Sequence, residues 1–209
     1  LASQPMQRFS PDELDRVVVV GTSCSGTTTF ARHLSKLLQA RHIELDAIHW
    51  KADWEPRAPA ELLRLVEEAV SDERWIVDGN YSAVREVSWS RATAVAWLNY
   101  PFWRVFSRAL WRTVRRASTR EELYSGNRET FRRAFLSRDS ILLWIITSHW
   151  RQKREYRRLE ETRCYPRVKF FEFRRPVQAS LFLSQLGAGN PAVARWQEEA
   201  GNGRDDGSV

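Results

Sequence analysis

The chain has 209 residues, a hydrophobic content of 43% and a net charge of +7, which suit one globular domain and exclude a disordered chain. Its two cysteines, Cys24 and Cys164, exclude a disulfide framework or a zinc site and predict a cytoplasmic protein. The longest apolar run, residues 141–146, is far shorter than the roughly 20 residues that span a bilayer, and the N-terminal segment lacks the apolar core of a signal peptide.

Strand-like and helix-like patterns alternate along the chain after a loose leader at residues 1–13. Strands are predicted at residues 16–20, 42–45, 75–77, 94–98 and 168–173. Helices are predicted at residues 28–41, 58–71, 102–117, 131–159 and 176–186. The alternation predicts an α/β domain at residues 14–186, with a five-stranded parallel sheet covered by helices on both faces. Residues 187–209 are rich in Gly, Asn and acidic residues and are expected to form a disordered tail.

The segment 16–29, RVVVVGTSCSGTTT, has the pattern of a phosphate-binding loop. Gly21 and Gly26 have the spacing of G-x-x-x-x-G-K-[ST], and Thr28 occupies the final hydroxyl position. Backbone N–H groups of such a loop bind phosphate, and its glycines let the phosphate approach closely. The predicted nucleotide-binding residues are Gly21, Thr22, Ser23, Cys24, Ser25, Gly26, Thr27, Thr28 and Thr29.

The lysine of this motif is absent, and Thr27 stands in its place. When a catalytic site loses an electrostatic donor of this kind, the rate of the catalysed reaction commonly falls by about 10²–10³-fold. Binding should suffer less, because the backbone amides and the helix dipole remain. Three explanations are open: an arginine from a lid replaces the lysine, the protein binds nucleotide without turnover, or Thr27 is a natural or engineered substitution of an original lysine.

Two aspartates are predicted to follow neighbouring strands at the sheet edge that carries the loop. Asp78, in WIVDGNYS, ends the third strand in the form of a Walker B acid, and with Thr28 it predicts a Mg²⁺ site. A turn-initiating Asp-Gly is the alternative. Asp46, in IELDAIHW, is predicted to end the second strand and to orient or deprotonate an acceptor hydroxyl, with a helix cap or turn residue as the alternative.

The acceptor is expected beside these two aspartates. Aromatic side chains follow closely, and they would form a face for a base or sugar or would simply pack in the protein. The predicted substrate-binding residues are Asp46, Trp50, Asp78, Gly79, Asn80 and Tyr81, with His49 and Trp54 nearby.

The positive charge is concentrated in residues 101–163, which contain 16 lysines and arginines against seven acidic residues and so carry +9. This segment fills most of the long gap between the fourth and fifth predicted strands. A helical excursion there would overhang the carboxyl ends of the strands, so a lid is predicted at residues 118–140. An acidic-partner or nucleic-acid surface is the alternative.

The arginines of this segment follow helical spacing. Arg104, Arg108, Arg112 and Arg115 form one helical stripe. Guanidinium groups suit the equatorial oxygens of a transferring phosphoryl group, whereas most helical arginines simply form a solvated face. The predicted catalytic residues are Asp46 and the arginines around the loop-like residues 124–127, namely Arg128, Arg132 and Arg138.

Several segments resemble adenylate-kinase-like P-loop proteins, many of which are labelled DNA topology modulation proteins. The segments GTSCSGTTTFARHL, IELDAIHW, WIVDGNYS, VAWLNYP and NRETFRRAFLSRDSILLW occur in the same order, over about residues 16–186. The resemblance implies a nucleoside-monophosphate-kinase-like three-layer sandwich with ATP on residues 21–28. It also implies Mg²⁺ on Thr28 and Asp78. Two residues depart from the pattern: Thr27 replaces the lysine, and Asn99 gives LNYP where LDYP is usual.

These features favour ATP-dependent phosphoryl transfer to a small molecule or nucleotide. The replacement of the lysine by Thr27 would impair this transfer. The alternative is a non-catalytic nucleotide-binding regulatory protein. A DNA-binding surface on residues 101–163 ranks below both, because the chain has no DNA-reading motif. No membrane partner is expected, and the acceptor, the nucleotide preference and the oligomeric state are left open by the sequence.

Overall fold

The computed structural model describes residues 11–119 and 141–187. Within these ranges the parallel strands are β1 (Arg16–Gly21), β2 (Arg41–Glu44), β3 (Trp75–Asp78), β4 (Ala94–Leu98) and β5 (Lys169–Phe173). They form one sheet in the order β2-β3-β1-β4-β5. The predicted five-stranded parallel sheet is therefore confirmed.

The central strand β1 is buried on both of its faces. Its valines, residues 17–20, are each no more than 1% exposed. Val17 and Val19 belong to one hydrophobic core, whereas Val18 and Val20 belong to the other. A continuous apolar run of this kind is typical of a parallel strand with helices on both sides.

Helices cover both faces of the sheet. Those in the described ranges are α1 (Thr27–Leu38), α2 (Leu45–His49), α3 (Pro59–Ala69), α4 (Arg85–Trp89), α5 (Phe102–Thr119), α6 (Ile141–Glu161) and α7 (Pro176–Leu186). One core contains side chains of α1, α5 and α7, and the other contains side chains of α3 and α4. The result is a three-layer α/β sandwich, as predicted. None of the described helices combines the length and hydropathy of a membrane-spanning segment.

The predicted elements differ from the observed ones mainly at their ends. The first helix ends at Leu38 rather than at residue 41, because Gln39 has a left-handed φ of 51° and donates its N–H to the Ser35 carbonyl. The five-residue helices α2 and α4 were not predicted, since they are too short to show a helical apolar period. The helix predicted at 131–159 is observed as α6, and its residues 131–140 lie outside the described ranges.

The predicted leader, lid and tail fall largely outside the described residues. The exception in the leader is a short 3-10 helix at Pro11–Leu14, where Leu14 is buried and Glu13 accepts a hydrogen bond from Lys169. The predicted lid begins within the last turn of α5, and its residues 120–140 are not described. The tail is not described from residue 188 onward.

Asn99, one of the two departures from the pattern that the sequence resembles, is buried and joins a partly exposed polar cluster at the ends of β4 and β5. Its Nδ2 donates to Glu172 Oε1 at 2.5 Å, and the same carboxylate accepts from Arg157 at 2.8 Å and Arg174 at 3.1 Å. Burial acts to raise the pKa of Glu172, but the hydrogen bonds from Arg174, Asn99 and Arg157 outweigh it and lower that pKa. An aspartate at position 99 would face this carboxylate. The amide of Asn99 therefore supplies a donor that the Glu172 carboxylate can use, which an aspartate could not supply.

We expect Asn99→Asp to lower the free energy of unfolding by about 1–3 kcal/mol at pH 7, because Glu172 would lose a donor and face a like charge. Urea denaturation measures the change. The double variant Asn99→Asp/Glu172→Gln should recover most of the loss, since the new amide can donate to the new carboxylate. A loss that is equally large at pH 4, where two carboxyl groups can share a proton, would contradict the electrostatic cause.

Candidate active site

The loop between β1 and α1 has the backbone of a phosphate cradle. Gly21 ends β1, and Ser25 N–H donates to the Thr22 carbonyl at 2.9 Å to form a turn. A β-carbon at Gly21 would collide with Ser25 Oγ, so this position requires glycine. Gly26 has a φ of +93°, which also favours glycine. The buried Ser25 Oγ has no hydrogen-bond partner among the described residues, and this orphaned hydroxyl inside the loop fits a bound phosphate.

The N-terminus of α1 adds to this cradle. Thr27, Thr28 and Thr29 form its first turn, and the N-cap residue Gly26 has no side chain to cap the free N–H groups. No acidic side chain lies in this turn. The first N–H groups and the positive end of the helix dipole are therefore suited to an anion.

Arg108 of α5 lies against the loop. A β-carbon built on Gly26 would be 3.3 Å from its Nη2 and 3.7 Å from its Nη1. Burial raises the pKa of the neighbouring Tyr100 to about 12, and the positive charges of Arg108 and Arg104 partly oppose this shift. A guanidinium group thus lies beside Gly26. The next residue, Thr27, occupies the lysine position of the motif.

His149 of α6 contacts the beginning of the loop. Its Nδ1 is 3.1 Å from Thr22 Oγ1, and the residue is 2% exposed. Burial, followed by the charge of Lys153, lowers the pKa of His149, so the ring is neutral at pH 7. Its buried Nε2 has no partner among the described residues. One nitrogen therefore holds Thr22, and the other keeps an unused hydrogen-bonding capacity.

A cavity of about 670 Å³ opens beside His149, beyond the carboxyl ends of β4 and β5. Its lining combines aromatic rings with basic groups: Asn99, Pro101, Phe102, Trp103, His149, Trp150, Lys153, Arg157 and Arg174. Aromatic walls and a cationic rim suit a flat ring that carries anionic groups.

The prediction that Asp46 ends the second strand is wrong. β2 ends at Glu44, and Asp46 lies in the first turn of α2. The reason is the length of the neighbouring strand: β3 ends at Asp78, directly opposite Glu44, so no backbone ladder remains for residue 45. The chain turns into a helix instead, and Leu45 becomes buried beneath Gly79.

Asp46 nevertheless reaches the same edge of the sheet as Asp78. Tyr81 donates its hydroxyl to Asp46 Oδ1 at 2.5 Å. Burial raises the pKa of Asp46, the Tyr81 hydrogen bond lowers it, and the charge of Asp78 raises it again, with a net increase. The imidazole of His49 lies over the Tyr81 ring at 4.3 Å, and burial lowers its pKa. A carboxylate with a raised pKa is suited to accept a proton at neutral pH.

The prediction that Asp78 ends β3 is confirmed. In the sheet it pairs with Val19, two residues before Gly21, so its carboxylate lies beside the start of the loop. The side chain is buried, and its Oδ2 is 3.2 Å from His42 Nε2. The other ring nitrogen of His42 faces Glu44 at 3.6 Å. His42 thus lies between two carboxylates.

Thr28 and Asp78 are the two residues whose side chains would hold a magnesium ion that arrives with a nucleotide. Mg²⁺ is usually bound by one or two carboxylates together with substrate phosphates and water. One hydroxyl and one carboxylate are available from these two residues. In the described ranges no group of three or more His, Cys, Asp and Glu side chains would hold a metal by itself. The donor set fits a shared ion rather than a resident one.

The other predicted substrate-binding residues lie at different places, and several contact other protein side chains. Asn80 donates to the Tyr156 hydroxyl at 2.9 Å and accepts from Arg85, so its side chain joins the β3 loop to α6. Trp50 follows α2, where its ring is 4.6 Å from His49 and 5.7 Å from Trp54. Arg128, Arg132 and Arg138 lie outside the described residues.

Two histidines near the site were not identified from the sequence. His149 is 127 residues from Thr22, and no local pattern connects them. His42 was predicted only as the first residue of a strand. Arg108 was identified as part of an arginine stripe, but nothing in its spacing indicates the contact with Gly26.

In Tyr81→Phe the pKa of Asp46 is expected to rise further, because the hydrogen bond that lowers it is removed. The NMR titration midpoint of the Asp46 carboxyl carbon should therefore move to higher pH. Tyr165→Phe is the matched control, since that hydroxyl donates to Glu86 instead. An unchanged or lower midpoint in Tyr81→Phe would show that the bond does not hold the ionised form.

No protein-family model matches the chain, and no curated protein matches its sequence. Among solved structures, it is similar to a sugar kinase from Janibacter sp. HTCC2649, with a TM-score of 0.45 and 17% identity over 85% of this chain and 96% of that one. It is similar to a gluconokinase from Sinorhizobium meliloti 1021, with a TM-score of 0.45 and 16% identity over 91% and 98%. It is also similar to a shikimate kinase from Bacteroides thetaiotaomicron, with a TM-score of 0.45 and 14% identity over 89% and 98%.

Proposed function

We propose that the protein is an ATP-dependent kinase that transfers the γ-phosphoryl group to a hydroxyl of a small molecule. The observation that carries the proposal is the phosphate cradle with its orphaned Ser25 hydroxyl. A carboxylate of raised pKa, Asp46, lies at the same edge of the sheet. A phosphate donor and a proton acceptor on one edge are the two requirements of phosphoryl transfer to a hydroxyl.

The nucleotide would extend from the loop toward the aromatic cavity. The backbone amides of residues 21–28 bind its phosphates, and the base enters the space between Trp103 and Trp150. Mg²⁺ on Thr28, Asp78 and the phosphate oxygens would neutralise charge on the nucleotide. His149 keeps the first turn of the loop in place through Thr22.

Asp46 would take the proton of the acceptor hydroxyl. The hydroxyl oxygen would then bond to the γ-phosphorus as the bond to ADP breaks and ADP leaves. Tyr81 orients the carboxylate by donating to Oδ1, which leaves Oδ2 for the acceptor. The raised pKa of Asp46 makes it a stronger base than an ordinary aspartate. The reaction then needs Asp46 ionised, so activity is lost as the pH falls through that raised pKa.

The charges around Asp46 favour an acceptor without a phosphate group. Arg57 is held by the Ile48 carbonyl and by Glu61, each at 2.6 Å. Arg85 is held by Asn80 and Glu155. In the described part of the chain, the acceptor side therefore offers carboxylates and aromatic rings, whereas Arg57 and Arg85 are bound to other groups. A neutral or amine-bearing polyol suits it better than a nucleoside monophosphate does.

The alternative is a nucleotide-binding protein without turnover, and the specific observation in its favour is Thr27. This residue brings no charge to the phosphates, while the amides that bind them are intact. Calorimetry would then show Mg·ATP binding, and no acceptor would yield ADP.

Asp46→Asn is expected to lower kcat by about 10²–10⁴ with little change in ATP affinity, because it removes the base and not the phosphate site. ADP release, measured with polyols, amino alcohols and nucleoside monophosphates as acceptors, tests this. Asp72→Asn is the matched control, since Asp72 is an exposed aspartate paired with Arg41. Equal kcat values for the two variants would exclude Asp46 as the base.

Thr28→Val should weaken the apparent Mg²⁺ affinity in the presence of ATP by about 10–100-fold, the range typical when a metal site loses a supporting group. Thr162→Val is the control, because Thr162 is an exposed threonine outside the loop whose hydroxyl donates to the Arg158 carbonyl. Magnesium titrations of nucleotide binding give both values. The metal assignment is wrong if the two variants titrate alike.

A further inference from the structure

We propose that Arg108 supplies the positive charge that Thr27 does not, by binding the β- and γ-phosphate oxygens of the nucleotide across the loop. This inference rests on the proposed function for its effect on turnover, whereas its effect on binding can be measured without turnover. It assigns the missing cation to α5 and not to the arginines at positions 128, 132 and 138.

The contact with Gly26 places the guanidinium at the loop. A β-carbon built on Gly26 would lie 3.3 Å from Nη2, 3.7 Å from Nη1 and 3.9 Å from Cζ of Arg108. Both terminal nitrogens are nearer than Cζ, so the Nη edge of the guanidinium faces the glycine. Gly26 directly precedes Thr27, the lysine position of the motif. The cation therefore reaches the correct part of the loop from another helix.

The backbone of α5 is well placed to hold Arg108 there. Val105 and Ala109, one turn before and one residue after it, are buried in the core against the sheet. Buried neighbours fix the position of the helix, so the guanidinium reaches the loop from a rigid element. The arginine itself is exposed and is free to rotate its end group toward a ligand.

The charge of Arg108 is not neutralised by the described part of the protein. None of the described carboxylates forms an ion pair with it, whereas Arg157 on α6 is paired with Glu172 at 2.8 Å. Arg115, two turns further along α5, lies over the ring of Trp111 at 5.5 Å. Arg108 therefore combines a loop contact with a charge that no carboxylate of the described ranges neutralises.

The chemistry of a guanidinium suits the task. Its planar fork donates several hydrogen bonds and binds two phosphate oxygens at once, which an ammonium cannot do with the same geometry. Threonine is short and neutral, so it leaves space and charge for a group from outside the loop. His149 also contacts the loop, but its ring is buried and neutral and brings no charge.

The first test compares ligands that differ in their phosphates. Arg108→Ala should weaken Mg·ATP binding by about 10–100-fold, the loss typical of a hydrogen bond to a charged group. AMP, which lacks the β- and γ-phosphates, should bind almost unchanged. Arg115→Ala is the control and should leave both affinities as in the original protein. Calorimetry gives the affinities, and tripolyphosphate serves as a probe without a base.

The second test restores the lysine. Thr27→Lys should recover Mg·ATP affinity in the Arg108→Ala background and should give much less gain when Arg108 is present, because two cations that serve the same oxygens are not additive. Equal gains in both backgrounds would overturn the proposal. Arg108→Gln keeps the side chain as far as Cδ and a polar end group without the charge, and it replaces Arg108→Ala if that variant does not fold.

The outcomes separate this inference from the kinase proposal. If Mg·ATP binding follows the expected pattern and no acceptor yields ADP, the kinase proposal fails and the role of Arg108 stands. If Arg108→Ala binds ATP and turns it over as Arg115→Ala does, the role of Arg108 fails and the kinase proposal stands. Absence of binding by both ATP and tripolyphosphate in the original protein would overturn the inference.

Discussion

The position of β1 between β3 and β4 determines where each part of the site lies. Residues 17–20 are buried on both faces, so the chain can turn toward a ligand only at the carboxyl end, where Gly21 begins the loop. The register with β3 puts Asp78 opposite Val19, and the register with β4 puts Leu98 opposite Gly21. The two aspartates, the loop after β1 and the aromatic cavity therefore occupy consecutive positions along one edge of the sheet.

The sequence was sufficient to predict those elements whose signal lies in neighbouring residues. The valine run and the glycine spacing predicted β1, the loop and α1 to within a few residues, because strand burial and loop geometry depend on neighbouring residues. Asp46 was misplaced because the end of β2 depends on where β3 stops, which the residues around Asp46 do not encode. The contacts of His149 and Arg108 with the loop were also beyond prediction, since each joins residues far apart in the chain.

The two departures from the pattern that the sequence resembles each lie beside a charged side chain from elsewhere in the fold. Asn99 faces the partly buried carboxylate of Glu172, where an aspartate would be repelled. Thr27 lies next to the glycine that Arg108 approaches, and a lysine there would come near a second cation. A residue that breaks a motif is therefore best interpreted together with the side chains that surround it, because the altered chemistry can be balanced by another element.

Helix α6 contacts three strand ends at once. His149 bonds to the loop after β1, Tyr156 accepts from Asn80 after β3, and Arg157 pairs with Glu172 of β5. Any displacement of this helix by a ligand at one of these ends is transmitted to the other two. Thermodynamic linkage makes such coupling reciprocal. If a nucleotide raises the affinity for a second ligand by some factor, that ligand must raise the affinity for the nucleotide by the same factor.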